Sequence, residues 1–228
     1  MIKAAFFDID DTLYAYHPCD NAAVLQMHRV FMNLTGRKCT KDQFDKMLSD
    51  AKKYVKENTA NTAACHNRML YAQRLCEIGG CFSAENVLAL YNAYWDTFLG
   101  EMQLYENVAE VFSMLKSAGI RIGFCTDLTA HIQMRKLVRL GISDIADAVV
   151  TSEESGIEKP APRSFQLLLG KLGVEPEQVV MIGDDHKKDI VGAAALGMKT
   201  IMFGGSGGDT LHAADFYELE AIFREMIE

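Results

Sequence analysis

A chain of 228 residues, 49% apolar and 24% charged, can bury a sizeable core, about 70% or more of its unfolded surface, and has the make-up of a globular protein of one to two domains. Its formal net charge of -8, with no Lys/Arg block, argues against a protein devoted to nucleic acid or to an anionic membrane, so an anion can be held only at a local site. No apolar run approaches the ~18 residues of a membrane span. Six cysteines (Cys19, Cys39, Cys65, Cys76, Cys81, Cys125) form no CxxC pair and read as free, mostly buried thiols of a reducing compartment. The chain enters a strand at once, leaving no room for a signal peptide. A cytoplasmic protein is expected.

The apolar run Ala4 to Phe7 leads to Asp8, and Asp10 and Asp11 follow within FFDIDDTLY. In a strand, residues two apart point the same way, but here the strand is ending, so Asp8 and Asp10 can splay around one site at its mouth. Three acids in four positions repel one another, and a hard divalent cation such as Mg2+ would offset that. The alternative is that Asp10-Asp11-Thr12 is only a turn.

From Asp20 to about Met102 the pattern is helical. Val24, Met27 and Phe31 recur at helix spacing. Thr40 with Gln43 makes a capping box before the stripe of Phe44, Met47, Leu48, Ala51 and Val55. Cys65, Met69, Ala72 and Cys76 line a third helix closed by Gly79-Gly80. Val87, Leu90, Tyr91, Tyr94 and Phe98 line a fourth. After Met102 helices and strands alternate. Asn107 is expected to cap a helix ending at Gly119, and Ile120 to Cys125 to form a buried strand. A helix over Ala130–Leu140, a strand over Ala148–Thr151 and a helix over Arg163–Leu172 follow. Then come a strand over Gln178–Ile182, a helix over Lys187–Leu196, a last strand over Lys199–Phe203 and a final helix from about Glu218. Strands alternating with such helices predict right-handed βαβ units and a parallel sheet. The fold class is therefore α/β, a Rossmann-like doubly wound core (residues 1–15 and 101–228) with an inserted four-helix domain (16–100).

Binding sites of such sheets lie at the carboxyl ends of the strands. There stand Asp8 and Asp10, then Thr126-Asp127, then Lys159-Pro160 beyond VVTS, then Gly183-Asp184-Asp185 with Asp189 further on. Each has a plainer reading alone. Thr126-Asp127 caps a helix, Lys159 is a solvated loop lysine, and Asp184 and Asp185 are acids favoured at a helix start. Their coincidence at four strand ends, in this order, is what those readings explain badly.

These motifs resemble the haloacid dehalogenase-like superfamily, in the branch with a helical cap after the first motif. DIDDT matches its DxDxT signature, Thr126 its Ser/Thr motif, Lys159 in EKPAPRSF its lysine motif, and GDDHKKD its acidic motif. The resemblance spans Phe6 to about Phe203. It implies a Mg2+-dependent phosphatase in which Asp8 is the nucleophile forming an aspartyl-phosphate. Asp10 would be the general acid/base, starting out neutral beside the like charge of Asp8. Thr126 would bond a phosphoryl oxygen, and Lys159 would neutralise charge. Asp8, Asp184 and the Asp10 carbonyl would hold Mg2+. Asp185 or Asp189 would order metal-bound water or Lys159.

Two positions depart from the pattern. Asp127 stands where Asn or a small residue is usual, so only its backbone N–H is expected to meet phosphate. Asp11 replaces a common Gly. In family members of this type the cap closes over the site and helps select the substrate, and Arg68, flanking the third cap helix, is a candidate for an anionic or polar substrate group. A solvated flank arginine is its plainer reading. GGSGG (204–208) lacks the GK[ST] of a P-loop and reads as loop, His186 as a surface residue and Trp95 as cap core. The expected partner is a small phosphorylated metabolite, with the protein a monomer or homodimer. A phosphomutase, a dehalogenase of the same fold and a non-catalytic binding protein are the rival readings.

Overall fold

In the computed structural model, which describes residues 1–36, 38–205 and 210–227, the first apolar run becomes β1 (Ala4–Phe7), every residue of it buried. Two units follow from the contacts within the chain: Met1–Ala15 with Gln103–Glu228, and Tyr16–Met102.

The second unit consists of α1 (Tyr16–Thr35), α2 (Lys41–Thr59), α3 (Arg68–Gly79) and α4 (Ala84–Glu101), with a 3-10 turn at Ala63–His66. α1 packs on α4 and α2 on α3. The Thr40 hydroxyl accepts from the Gln43 N–H while the Gln43 side chain accepts from the Thr40 N–H, so two otherwise orphaned donors at the start of α2 are satisfied. Gly80, at φ +66°, lets the chain reverse after α3: the Cys81 N–H reaches the Cys76 carbonyl at 3.0 Å and the Gly80 N–H the Glu77 carbonyl at 3.2 Å. Phe31, Phe44, Tyr94, Trp95 and Phe98 fill the interior.

The first unit continues with α5 (Val108–Ser117), β2 (Arg121–Thr126), α6 (Ala130–Arg139), β3 (Ala148–Thr151), the single turn α7 (Ser152–Ser155) and α8 (Pro162–Leu172). Then come β4 (Val179–Gly183), a π-helical turn over His186–Val191 running into α9 (Gly192–Ala194), β5 (Lys199–Phe203), β6 (Leu211–Ala213) and α10 (Phe216–Ile227). The six strands pair in the order β3-β2-β1-β4-β5-β6, each pair parallel. β1 lies between β2 and β4, with Phe7 opposite Phe124 on one side and Ile182 on the other. The chain winds outward from β1 to β3, then crosses to β4 on the far side of β1. That reversal opens a crevice at the carboxyl end of β1.

Three local expectations are corrected. Asn107 does not cap α5. Its backbone is left-handed (φ +66°) and makes no side-chain cap, because a capping side chain needs the extended backbone that brings it over the first turn. Its amide donates instead to the Phe216 carbonyl (3.2 Å) and Glu220 (2.7 Å). The helix expected over Lys187–Leu196 opens as the π turn. A sixth strand, β6, adds to the sheet after β5. The six cysteines are free thiols, residues 206–208 of the GGSGG loop lie outside the described residues, and no helix among the described residues is long and apolar enough to cross a membrane.

Candidate active site at the carboxyl edge of the sheet

Asp8 is the first residue beyond β1. Its N–H still joins the ladder, donating to the Ile182 carbonyl at 2.9 Å, which holds its backbone level with the ends of β2 and β4. Only 8% of Asp8 is exposed. The Lys159 ammonium, itself buried, donates to Asp8 Oδ1 (2.9 Å), Asp189 Oδ1 (2.6 Å) and the Cys125 carbonyl (2.9 Å). Three donors meet three acceptors, so none of the lysine's hydrogen-bonding capacity is wasted in the interior. Burial by itself would lower the Lys159 pKa, but the charges of Asp189, Asp8 and Asp127 outweigh it and hold the ammonium well above its ordinary value.

Asp189 and Asp185, which the sequence left unranked, separate cleanly. Asp185 is exposed, and its carboxylate accepts from the N–H groups of Lys187 and Lys188, both at 2.9 Å. Asp189 is fully buried, with Oδ1 on Lys159 and Oδ2 accepting from the Asp185 N–H at 3.1 Å. The π turn carries its side chain inward over Gly183, where a Cβ would lie 2.3 Å from Asp189 Oδ2. Only glycine fits beneath this carboxylate.

Asp184 accepts from the Thr12 hydroxyl at 3.4 Å. Burial pushes its carboxyl up to about 7, with help from the charges of Asp189 and Asp11. Burial likewise holds Asp8 well above the usual carboxylate range, opposed by Lys159 and reinforced by Asp189, Asp10 and Asp184. Carboxylate oxygens of Asp8, Asp184 and Asp189 lie within 4.8 Å of one another. These three acids face the single ammonium of Lys159, and the surplus negative charge suits a hard divalent cation such as Mg2+. Since both Asp189 oxygens are engaged, Asp8 and Asp184 are the better-placed donors. Asp11 sits at φ +55°, a left-handed position that Gly favours and Asp tolerates.

Asp10 does not face the charge of Asp8 alone. The fully buried Lys136 ammonium donates to its Oδ1 (2.5 Å) and Oδ2 (2.8 Å), and the buried Tyr14 hydroxyl donates to Oδ1 as well. Thr126, at the end of β2, accepts from the Gln133 amide at 2.8 Å, and the same amide reaches the Asp127 carbonyl at 2.7 Å. Asp127 spends its carboxylate on the Lys159 N–H (3.0 Å) and the Lys188 ammonium (2.8 Å). Its side-chain charge is thus neutralised within the protein.

Arg68 is not a solvated flank residue. Within the helical unit it is buried among Tyr71, Tyr94 and Trp95, each ring centroid 5.4–5.7 Å from the guanidinium carbon. It donates to the His66 carbonyl at 2.6 Å and to the hydroxyls of Tyr16 and Tyr94. These aromatic faces and hydroxyls provide what water would otherwise supply to the cation. The sequence reading did not single out Lys136, Tyr14, Gln133 or Lys188. A signal for two of them existed: Gln133 and Lys136 stand beside Ile132 and Leu137 on the inner stripe of α6, and all four are buried.

A family model described as haloacid dehalogenase-like hydrolase matches residues 2–197. A ribulose-1,5-bisphosphate 5-phosphatase of Halopiger xanaduensis is 39% identical over 217 residues, covering 94% of this chain and 90% of that protein. A glyceraldehyde 3-phosphate phosphatase of Methanopyrus kandleri is 35% identical over 201 residues, covering 88% of this chain and 83% of its own. Among solved structures, a 2-haloacid dehalogenase of Pseudomonas syringae superposes with a TM-score of 0.78 at 22% identity, covering 99% of this chain and 100% of that one. That last likeness concerns the fold alone.

Proposed function

The chain belongs to the haloacid dehalogenase-like hydrolase family, and from that premise we propose that it is a Mg2+-dependent phosphatase acting through an aspartyl-phosphate on a small sugar phosphate. The observation that carries this reading is the Asp8 carboxylate at the carboxyl edge of β1, bonded to Lys159 and crowded by Asp184 and Asp189. The fold does not choose between dehalogenation and phosphoryl transfer. The residues do, because dehalogenation needs neither a second acid like Asp10 nor an acidic metal cluster.

In the proposed reaction an Asp8 oxygen attacks phosphorus, and the bond to the ester oxygen breaks as the new P–O bond forms. Asp10 gives its proton to the departing alkoxide, then takes one from the water that attacks the aspartyl-phosphate and releases inorganic phosphate. The Thr126 hydroxyl and the Asp127 N–H bind phosphoryl oxygens, and Lys159 offsets their charge while keeping Asp8 in place. Asp8, Asp184 and the Asp10 carbonyl would hold Mg2+, which when bound would supply charge neutralisation between carboxylate and phosphate. In this reading the helical unit Tyr16–Met102 is the inserted cap domain.

The names of the two relatives narrow the substrate class. The 5-phosphate of a ribulose and the 3-phosphate of glyceraldehyde are both esters of a terminal CH2–OH on a short sugar, so a primary sugar phosphate is the proposed substrate. The test is phosphate release from a panel of such esters, with and without Mg2+, by wild type and Asp8→Asn. Metal-dependent release that disappears in Asp8→Asn is expected. A folded, Mg2+-supplied protein that releases phosphate from no ester would overturn the reading.

A further inference from the structure

Helix α6 delivers two polar side chains to the interior three residues apart, a spacing that puts both on one helix face. Gln133 goes to Thr126 and Lys136 to Asp10. Both are fully buried, although burying a charge or an amide is costly unless it finds partners. Lys136 finds both oxygens of one carboxylate, while its ammonium lies 5.9 Å from the centre of the Tyr14 ring. Tyr14 closes the arrangement by donating to Asp10 Oδ1 across a single turn of chain.

We propose that Lys136 and Tyr14 are positioning residues for the reaction, a two-point clamp that fixes the Asp10 carboxyl in the orientation from which it exchanges its proton with the leaving oxygen. This rests on the phosphatase reading above. Asp10 belongs to the turn beyond β1, and its side chain is 30% exposed. The clamp limits the rotation of that side chain. Lys136 reaches both oxygens and the Tyr14 hydroxyl reaches Oδ1, so the plane of the carboxyl is held from two sides. Holding a proton donor in line is worth more to catalysis than its mere presence, because each free rotation must otherwise be frozen at the moment of reaction.

The reactions that need this orientation are those with a poor leaving group. An alkoxide from a sugar phosphate must be protonated as it departs, whereas nitrophenolate leaves without help. The test compares the first-turnover rate of alcohol release, before water attacks the aspartyl-phosphate, for a primary sugar phosphate and for p-nitrophenyl phosphate in wild type, Lys136→Met and Tyr14→Phe, with Asp10→Asn as reference. Lys136→Met is expected to lose about 10²-fold or more on the sugar phosphate and less than about threefold on the nitrophenyl ester, the pattern of Asp10→Asn. Tyr14→Phe, which removes one oxygen and keeps the packing, should follow in the same direction by about tenfold. A merely structural role would lower both substrates together, and that result, or no loss on either, would overturn the inference. Wild type inactive on both esters would instead overturn the phosphatase reading, and this inference with it.

Discussion

Replacing Gly183 by Ala adds one methyl group, changes no charge and touches no proposed ligand, yet it should disable the centre. The strand accepts alanine conformationally, since Gly183 is not among the residues with positive φ. What it lacks is space: the new Cβ would lie 2.3 Å from Oδ2, 2.4 Å from Cγ and 2.6 Å from Cβ of Asp189. Asp189 cannot swing aside freely, because one oxygen is held by Lys159 at 2.6 Å and the other by the Asp185 N–H at 3.1 Å. Relief requires breaking a charge-assisted bond or shifting β4, which between them cost about 3–6 kcal/mol. For a chain of this length the thermal midpoint should fall by about 6–24 °C, followed by circular dichroism. Below the new midpoint kcat should still be down by about tenfold or more, because a displaced Asp189 no longer fixes Lys159 on Asp8. Gly170→Ala is the control. It lies in α8 with nothing within 4 Å of the added carbon, and should stabilise by about 0.5–1 kcal/mol. A Gly183→Ala protein with wild-type midpoint and kcat would refute the contact between Gly183 and Asp189.

Lys159→Met should cost about 3–5 kcal/mol in denaturant unfolding, since it strands Asp8 and Asp189 in the interior without their shared cation, and should lower kcat by at least ~10²-fold. Asp184 gives a pH dependence whose sign can be worked out. Its folded pKa is raised to about 7, so its contribution to stability is complete below the unfolded carboxylate range and is lost as pH rises through about 7. In EDTA the midpoint should therefore decline between pH 6 and pH 8, and added Mg2+ should raise it more at pH 8 than at pH 6 because it no longer competes with a proton; equal increments at both would contradict this. Arg68→Leu should destabilise by about 2–5 kcal/mol, as for other large buried side chains, while leaving the ranking of substrates as it is in wild type. An altered ranking with an unchanged midpoint would assign Arg68 to the substrate instead.

What the sequence made legible was the backbone grammar and the residues at its strand ends. Asp8, Thr126 and Asp184 stand there because an apolar run ending in a polar residue marks both the strand and its mouth. Lys159 stood out through its place in that series of strand-end motifs, although the Asp8 it meets is 151 residues away in sequence. Lys136 escaped for a physical reason: no motif marks it, and it lies 126 residues from Asp10. Periodicity registers a helix's apolar stripe and passes over polar residues that fall within it. In α6 that stripe contains Gln133 and Lys136 beside Ile132 and Leu137. A charge on an inner stripe must be paid for by a partner supplied from elsewhere in the chain. The carboxylates at the strand ends are the natural candidates in a sheet of this kind. The same logic runs the other way for Asn107, read as a helix cap, and Arg68, read as a substrate contact or a solvated flank residue: their partners are Glu220 on α10 and the tyrosines of the helical unit. A polar residue's position relative to the apolar stripe, more than its type, carries the information about whether it works in the interior.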